Sequence, residues 1–344
     1  MTTLRRFHAK VQVLAFLGLT LASARAWAQE TRIRGFADVN FATTDAPGIA
    51  SGFRLGQFDT YITSKLAERW SFLSEAVFEF EKDFVVDVER LMVAYRASEQ
   101  FTLSVGKHHT PFGYWNTAYH HGTLLQPTID RPLMFKFEDD GGPLPVHTVG
   151  LMVEGRDITS LHLGYDIMIG NGIGSTPASD NNAAKSVTIA LHSQITSTLQ
   201  IGASYYHDRI SAGSATLSDT LQLAESLLRR MYGGFVAYLG RRYEILGEYQ
   251  RVTDEGSAAG LRTSDLYYVY GGVRLGEFTT YAEFNDLRFA AGDAYLDTGN
   301  RRLGVIGARY DFAATIALKG EYRRVRRGDD PWTNELALQI AVGF

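Results

Sequence analysis

The stretch TNELALQIAVGF, Thr333 to Phe344, ends the chain and alternates between apolar and other side chains. The apolar positions are Leu336, Leu338, Ile340, Val342 and Phe344, and between them lie Glu335, Gln339 and Gly343. Successive side chains of a β-strand point to opposite faces of the sheet. The pattern therefore predicts a strand with one apolar face that ends on an aromatic residue.

The same two-residue period recurs along the chain and marks about sixteen segments. The predicted strands are 31–41, 53–65, 69–83, 86–97, 101–108, 147–156, 160–170, 185–195, 198–208, 229–240, 242–252, 264–275, 278–288, 302–312, 314–324 and 333–344. Most are close to the roughly 9–11 residues that a tilted strand needs to cross a bilayer. The fold class is therefore predicted to be all-β.

The segments between these strands alternate in length. Longer polar or Gly-rich segments follow odd strands, at 42–52, 171–184, 209–228, 253–263 and 289–301, and tight turns follow even strands. Aromatic residues lie near strand ends at Trp70, Tyr95, Tyr165, Tyr238, Tyr310 and Phe344. A soluble β-sandwich shares the alternation within strands. The parity of the connections and the even strand count favour a transmembrane antiparallel β-barrel, which must close because lipid offers no partners to backbone groups.

The N-terminus has the features of a secretory signal peptide. Arg5, Arg6 and Lys10 precede an apolar run of 12 residues, 11–22, and small residues at Ala26 and Ala28 follow it. A membrane-spanning helix needs about 20 apolar residues, so the run is too short to be an anchor. We predict a signal peptide over 1–28, export through the Sec pathway, and a single barrel domain over 29–344.

Charge and composition exclude several classes of function. Without residues 1–28 the chain keeps 30 basic and 38 acidic residues, a net charge near −8. This balance disfavours nucleic acid as a partner. The chain has no cysteine, which excludes thiolate catalysis and Cys-ligated zinc.

The chain resembles the sixteen-stranded porins of Gram-negative bacteria over essentially its whole length after residue 28. Besides the features above, VGKHHTPFGYWN, Val105 to Asn116, is similar to the Gly-basic-x-x-Thr-Pro-Phe-Gly segment of the phosphate-selective porin O/P-like group. A dense arginine ladder is not evident, so phosphate specificity does not carry over. The resemblance implies a homotrimer in outer-membrane lipid and lipopolysaccharide, with Phe344 as an assembly signal for the barrel-assembly machinery.

The longest connection, 109–146, has 38 residues without helical or strand periodicity. With a periplasmic N-terminus it becomes the third extracellular loop, and the resemblance implies that such a loop folds into the lumen. Its aromatic and aliphatic residues are too apolar to stand in water, which supports the same path. The candidate constriction residues are Glu138, Asp139, Asp140, His120 and His121, although the acidic run could equally be a solvated turn.

The predicted strand registers place charges of both signs on the inner wall, 8 basic and 12 acidic by count of the sequence. The pore-wall candidates are Arg34, Arg90, Arg96, Glu75, Glu79, Arg274, Arg309 and Arg323; Lys319, Glu248, Glu283 and Glu321 are also predicted to point inward. A mixed field suits small hydrophilic solutes and ions and discriminates weakly by charge.

The histidines His108, His109, His120, His121 and His147 could converge with Asp139 and Asp140 on a metal ion. Their spacing matches no common metal motif, and loop histidines more often bind backbone or water, so neither a metal nor another cofactor is predicted. Ser204 and His207 could form part of a catalytic group, but no motif supplies a third member, and no enzyme is predicted. The function expected is a water-filled porin for passive diffusion. The alternative is a closed barrel for adhesion, anchoring or complex formation.

Overall fold

The computed structural model describes residues 30–80, 84–120, 122–136, 142–176, 178–258 and 260–344. The predicted signal peptide and residues His121, Glu138, Asp139 and Asp140 lie outside these residues, as does the side chain of Glu79. No helix in the described ranges is long and apolar enough to cross a membrane.

Sixteen antiparallel strands form one closed barrel in which each strand pairs with its sequence neighbours and β1 pairs with β16. Their bounds are β1 Thr31–Thr44, β2 Gly52–Lys65, β3 Trp70–Phe80, β4 Phe84–Ser98, β5 Phe101–His109, β6 His147–Ile158, β7 Leu163–Gly170, β8 Ser186–Thr196, β9 Leu199–Ile210, β10 Leu227–Leu239, β11 Tyr243–Gly256, β12 Gly260–Leu275, β13 Phe278–Arg288, β14 Arg301–Ala313, β15 Ile316–Arg327 and β16 Thr333–Gly343. The predicted fold class is confirmed.

The barrel exposes apolar side chains on its outer face and buries polar side chains on its inner face, which is the reverse of a soluble protein. On β16 the apolar residues Leu336 and Leu338 are 55% and 52% exposed, whereas Gln339 between Leu338 and Ile340 is 2% exposed. A sandwich would bury the apolar face and expose the polar one. The exposed apolar face is therefore the outer, lipid-compatible surface, and the buried residues face an occupied lumen.

The last residue closes the ring. Phe344 and Gly35 of β1 exchange two backbone hydrogen bonds of 2.9 Å, and the ring of Phe344 stacks on that of Phe58, 5.8 Å away. A side chain on Gly35 would overlap the Phe344 ring, so this glycine permits the close approach. The C-terminal aromatic residue is thus part of the β1–β16 seam.

Connections after even strands are short throughout, as predicted, but those after odd strands are less uniform than expected. The predicted loop 253–263 is wrong, because β11 and β12 continue to Gly256 and Gly260 and pair up to the turn. Polar residues there belong to an extended hairpin, with Asp254 forming an ion pair to Arg229. The longest connection is 110–146, and it contains a short helix α1, Trp115–Ala118, and a single 3-10 turn, Leu133–Phe135.

Candidate functional site in the barrel lumen

Segment 110–146, here called the inner loop, is closed at its base by Thr110. The Thr110 N–H donates to the Val146 carbonyl at 2.9 Å, and its hydroxyl lies 2.8 Å from the Thr148 hydroxyl and contacts the Pro145 carbonyl. The chain therefore leaves β5 and enters β6 at one point on the wall. The residues between these two ends can therefore extend across the lumen.

The first part of the inner loop is held by Glu248 on β11. The Glu248 carboxylate accepts hydrogen bonds from the N–H groups of Tyr114 at 2.8 Å and Trp115 at 2.7 Å, which are among the first N–H groups of α1 and have no partner within so short a helix. The Tyr268 hydroxyl donates to the same carboxylate at 2.9 Å. An inward acid of a distant strand thus caps α1.

The middle of the loop is held by two inward cations. Arg309 on β14 donates to the carbonyls of Leu124 at 2.8 Å and Gln126 at 3.0 Å. Lys319 on β15, fully buried, donates to the carbonyls of Thr123 and Thr128. Charged donors to carbonyls give stronger hydrogen bonds than neutral ones. These contacts give the carbonyl groups of the buried loop the hydrogen-bond donors that water would provide in a solvent-exposed loop.

The last part is held by β13 and β15. Glu321 accepts from the Ile129 N–H at 2.7 Å, and Asn285 accepts from the Leu133 N–H at 2.9 Å. Arg323 forms an ion pair with Asp130 at 2.6 Å. Strands β11 to β15 lie at least six positions around the ring from β5. The inner loop therefore crosses the lumen to the far wall.

Apolar packing completes the attachment. Six buried loop residues join one cluster with inward residues of β9 to β14; the loop members are Phe112, Trp115, Leu133, Met134, Phe135 and Leu144. Trp115 packs edge-on against Tyr268 with ring centroids 5.9 Å apart. Burying such large side chains contributes about 1.5–3 kcal/mol each, which favours the docked loop over one that extends into water.

Two glycines let the loop approach the wall. Gly113 has φ +77°, and a Cβ there would lie 2.5 Å from the Glu248 carboxylate. Gly122 has φ +49°, and a Cβ there would lie 2.2 Å from the Phe36 ring. Both backbone conformations disfavour other residues. A glycine at position 113, the last residue of the Thr-Pro-Phe-Gly segment, is therefore needed structurally, because it allows the capping contact with Glu248.

Two further connections cover the same side of the lumen. Leu217 and Leu223 of loop 211–226, together with Tyr295 and Leu296 of loop 289–300, lie in the cluster that holds the inner loop. The buried Arg229 pairs with Asp254, donates to the Pro143 carbonyl at 3.1 Å, and lies 4.1 Å from the Tyr295 ring centroid. The lumen beside β9 to β14 is therefore filled by protein.

A cavity of about 360 Å³ remains on the other side, between α1 and the inner faces of β4 to β10. Its ionisable lining comprises Arg90, His108, His109, Glu154, Arg156, Asp166 and His192, and its neutral lining includes Met92, Met152, Gln200 and Ser204. Arg90 pairs with Glu75 at 2.7 Å and Arg156 with Asp166 at 2.6 Å. The open part of the lumen is polar and carries both signs of charge.

The predicted wall residues do not form one site. Arg90 and Glu75 meet beside the cavity, whereas Arg309 and Arg323 hold the inner loop and Arg274 pairs with Glu244. Arg34 and Arg96 are exposed on the inner faces of their strands, and Glu79 pairs through its backbone with Val85. His120 is buried near His147. The structure thus brings only some of the predicted residues together.

Sequence reasoning missed several inward charges, among them Glu89 and Arg229. Glu89 is the extra residue of a β-bulge, because Glu75 pairs with Arg90 whereas Ala76 pairs with Val88. A bulge breaks the strict alternation, so Glu89 and Arg90 both face the lumen. Arg229 is the first residue of the predicted strand 229–240, but in the structure it lies within β10. The pattern Leu-Leu-Arg-Arg could have flagged it, since one of two consecutive arginines must face inward.

A larger concavity of about 810 Å³ is formed by the outer face of β7 to β12. Small outward residues, Ala203, Gly234 and Gly247, leave a furrow beside Tyr249 and Tyr267. This furrow belongs to the exposed apolar face of the barrel and is separate from the lumen.

The fold and the loop crossing the lumen define a sixteen-stranded antiparallel barrel with an occupied interior. Solved structures with this fold include an anion-selective porin from Comamonas acidovorans, with a TM-score of 0.66, 12% identity, and 92% of this chain and 100% of that one covered. The trimer form of OmpT, an outer membrane protein of Vibrio cholerae, gives a TM-score of 0.63 at 13% identity, covering 92% and 100%. OmpF of Salmonella typhi, in complex with daunomycin, gives 0.64 at 12% identity, covering 91% and 97%.

No protein-family model and no curated protein matches this sequence. The similarity to solved structures, at such low identity, establishes the barrel fold and leaves function to be argued from the residues of this chain.

Proposed function

We propose that this protein is a Gram-negative outer-membrane porin, a channel for passive diffusion of small hydrophilic solutes and ions that the inner loop narrows. The observation that carries the proposal is the path of that loop. It crosses the lumen to Glu248, Arg309 and Glu321 on the far wall and leaves a polar cavity beside β4 to β10. A loop held in this way limits the width of a barrel that would otherwise enclose a wide aqueous lumen.

The lining of the cavity supports small polar solutes. A volume of about 360 Å³ is at the lower end of the roughly 300–1,000 Å³ typical of small-molecule cavities. Arg156 pairs with Glu154 and Asp166 on the cavity wall, and Arg90 pairs with Glu75, so neither sign of charge dominates. Such a lining selects first by size and only weakly by charge.

The outer surface of the barrel supports localisation in the outer membrane. Above the apolar band, the loop-side ends of β9 to β15 carry outward arginines: Arg209, Arg230, Arg251, Arg288, Arg302 and Arg324. Arginine suits the phosphates of lipopolysaccharide because its guanidinium group can bind them in a bidentate manner. Export by a signal peptide over 1–28, assembly guided by Phe344 and a homotrimer belong to the same proposal, and the trimer form of the Vibrio cholerae protein supports the last point.

No enzymatic activity is part of this proposal. Ser204 faces the lumen and accepts from the Gly113 N–H at 3.3 Å, whereas His207, an odd number of residues away on the same strand, faces outward. Residues on opposite faces of a strand cannot act as nucleophile and base on one substrate. The candidate pair raised by the sequence is therefore wrong.

One observation favours the alternative of a closed barrel for adhesion, anchoring or complex formation. The apolar cluster of the inner loop with loops 211–226 and 289–300 fills the lumen beside β9 to β14. If the remaining cavity did not connect the two rims, the protein would present its loops as a binding surface and carry no current.

Single-channel recording distinguishes the porin from the closed barrel. The purified protein, folded in detergent and checked for heat-dependent migration on an SDS gel, is added to a planar bilayer between unequal salt solutions. The porin proposal predicts stepwise ohmic currents with a reversal potential close to zero, since the charges are mixed. A folded protein that produces no steps would favour the closed barrel.

A further inference from the structure

Three histidines that lie far apart in the sequence meet at the base of the inner loop. His109, His120 and His147 each place a ring nitrogen within 4.8 Å of the other two. The Nε2 atoms of His120 and His147 are 3.0 Å apart, and the ring centroids of His109 and His120 are 3.7 Å apart. The three residues are buried or nearly so.

The fold fixes each of the three positions. His109, the last residue of β5, pairs in register with His147, the first residue of β6. His120 follows α1, and contacts with Thr110 and Glu248 hold that helix against the wall. Two paired strand ends and the docked loop therefore supply the three histidines, so the cluster exists only when the loop is docked.

A carboxylate completes the group. Glu89, 4% exposed, contacts the Nε2 atom of His147 through its Oε2 atom, which is 3.7 Å from the Nε2 atom of His120. It reaches the cluster because it is the extra residue of the β3–β4 bulge. The neighbouring acid Glu75, 3.8 Å from the Nε2 atom of His109, is already engaged by Arg90. Glu89 is therefore the acid available to the histidines.

The orientation of His120 matches that of a metal ligand. Its Nδ1 atom is 3.2 Å from the Asn116 Oδ1 atom, and Asn116 in turn donates to the Thr110 carbonyl at 2.8 Å. A proton on Nδ1 for that contact leaves the Nε2 lone pair directed at His147 and Glu89. Metal-binding histidines commonly have such an outer partner, which sets the tautomer and the ring orientation.

Three imidazoles and one carboxylate are ligands that Zn²⁺ and similar first-row divalent ions prefer. With zinc–nitrogen bonds of about 2.0–2.1 Å, ligand atoms of a tetrahedral site are roughly 3.3 Å apart. Two separations bracket that value, 3.0 Å between the Nε2 atoms of His120 and His147 and 3.7 Å between the His120 Nε2 and Glu89 Oε2 atoms, and a ring nitrogen of His109 lies within 4.8 Å of the other two histidines. We propose that His109, His120, His147 and Glu89 bind one divalent transition-metal ion, Zn²⁺ by its ligand chemistry, which joins the inner loop to the wall beside the cavity.

The test uses Co²⁺ as a coloured substitute for Zn²⁺. The folded barrel in detergent, treated with chelator and then freed of it, is titrated with Co²⁺ and afterwards with Zn²⁺. We expect visible absorption that saturates at one Co²⁺ per chain and disappears with one equivalent of Zn²⁺. Absence of stoichiometric binding to the folded wild-type protein would overturn the proposal, whatever the variants do.

Variants then place the ion. H120A and H147A should each abolish the absorption, and N116A should weaken Co²⁺ binding by about 10–100-fold, as expected for an outer partner. H162A is the matched control, because His162 is an exposed histidine of a short turn paired with Asp157. Binding that survives in a folded H120A/H147A double variant would contradict the assignment and leave the histidines as hydrogen-bonding partners of Glu89. The readout needs no current, so it succeeds or fails independently of the porin proposal.

Discussion

Glu248 on β11 accepts hydrogen bonds from the N–H groups of Trp115 at 2.7 Å and its neighbour Tyr114 at 2.8 Å. Glu248 and Trp115 are 133 residues apart in the sequence, and β11 lies six positions around the ring from β5, from which the inner loop starts. One inward acid thereby fixes the start of the only α-helix among the described residues. The contact holds the first part of the inner loop against β11.

The substitution E248A removes the partner of both N–H groups. A buried donor left without a partner costs about 1–3 kcal/mol. We expect amide hydrogen exchange at 114–119 to become roughly 5- to 150-fold faster, while the strands stay protected. E255A is the matched control, since Glu255 is on the same strand but half-exposed and paired with Arg230. Equal exchange in E248A and E255A would show that the loop is held elsewhere.

Deletion of Phe344 should lower the amount of assembled barrel in the outer membrane. The residue shares two backbone hydrogen bonds with Gly35 and stacks on Phe58, so its loss opens the end of the β1–β16 seam. F344Y keeps the ring and the backbone and serves as the control. The measurement is the heat-modifiable fraction in outer-membrane preparations at native expression. An undiminished fraction after the deletion would rule out a role in assembly.

The acidic run Glu138, Asp139 and Asp140 lies outside the described residues, and its role remains a prediction. If it forms the acidic side of the constriction, changing all three to amides should shift ion selectivity toward anions. The shift should be largest at low salt, because the screening length falls from about 30 Å at 0.01 M to about 3 Å at 1 M. Reversal potentials in salt gradients measure it. An unchanged reversal potential at low salt would make the run a solvated turn.

The Asp130–Arg323 pair should hold the loop over a wide pH range. Burial raises the pKa of Asp130, but Arg323, Lys136 and Arg131 together lower it from 3.8 to about 2. A carboxyl whose pKa is lower in the docked state stabilises that state above its ordinary pKa, and this contribution is lost as the pH falls from about 4 toward 2. We expect the difference in conductance between the wild type and D130N to stay the same from pH 8 to pH 4. A difference that changes within this range would contradict the prediction.

The strands were predictable because alternation is a local property. The strand expected at 185–195 is Ser186–Thr196, and the inward positions of Lys319, Glu248 and Glu321 follow from parity alone. Parity does not reveal where a β-bulge reverses the order of inward and outward positions along a strand. The inward position of Glu89 could not be predicted for that reason. An unbroken alternation that points Arg90 into the lumen points Glu89 toward lipid.

The apolar residues of the inner loop indicate that it packs inside the barrel, but they do not determine which wall residues hold it. Its partners Glu248 and Lys319 lie more than a hundred residues downstream, and no local pattern links an inward acid to a particular N–H group. The convergence of His109, His120 and His147 has the same origin. It results from register between β5 and β6 and from docking of α1, neither of which is encoded in the spacing of the histidines.

The central claim, that the inner loop narrows an open pore, is tested most directly by single-channel conductance after its removal. Deleting Tyr119 to Phe137 removes the carbonyls held by Arg309 and Lys319 and three of the six loop residues in the apolar cluster. Shortening the exposed loop 328–332 by Asp329 to Pro331 is the control, and heat-dependent migration shows that each barrel is assembled. We predict that conductance rises and that larger sugars pass in liposome swelling only for the inner-loop deletion. An assembled barrel whose conductance does not change on that deletion would contradict the account and favour the closed barrel.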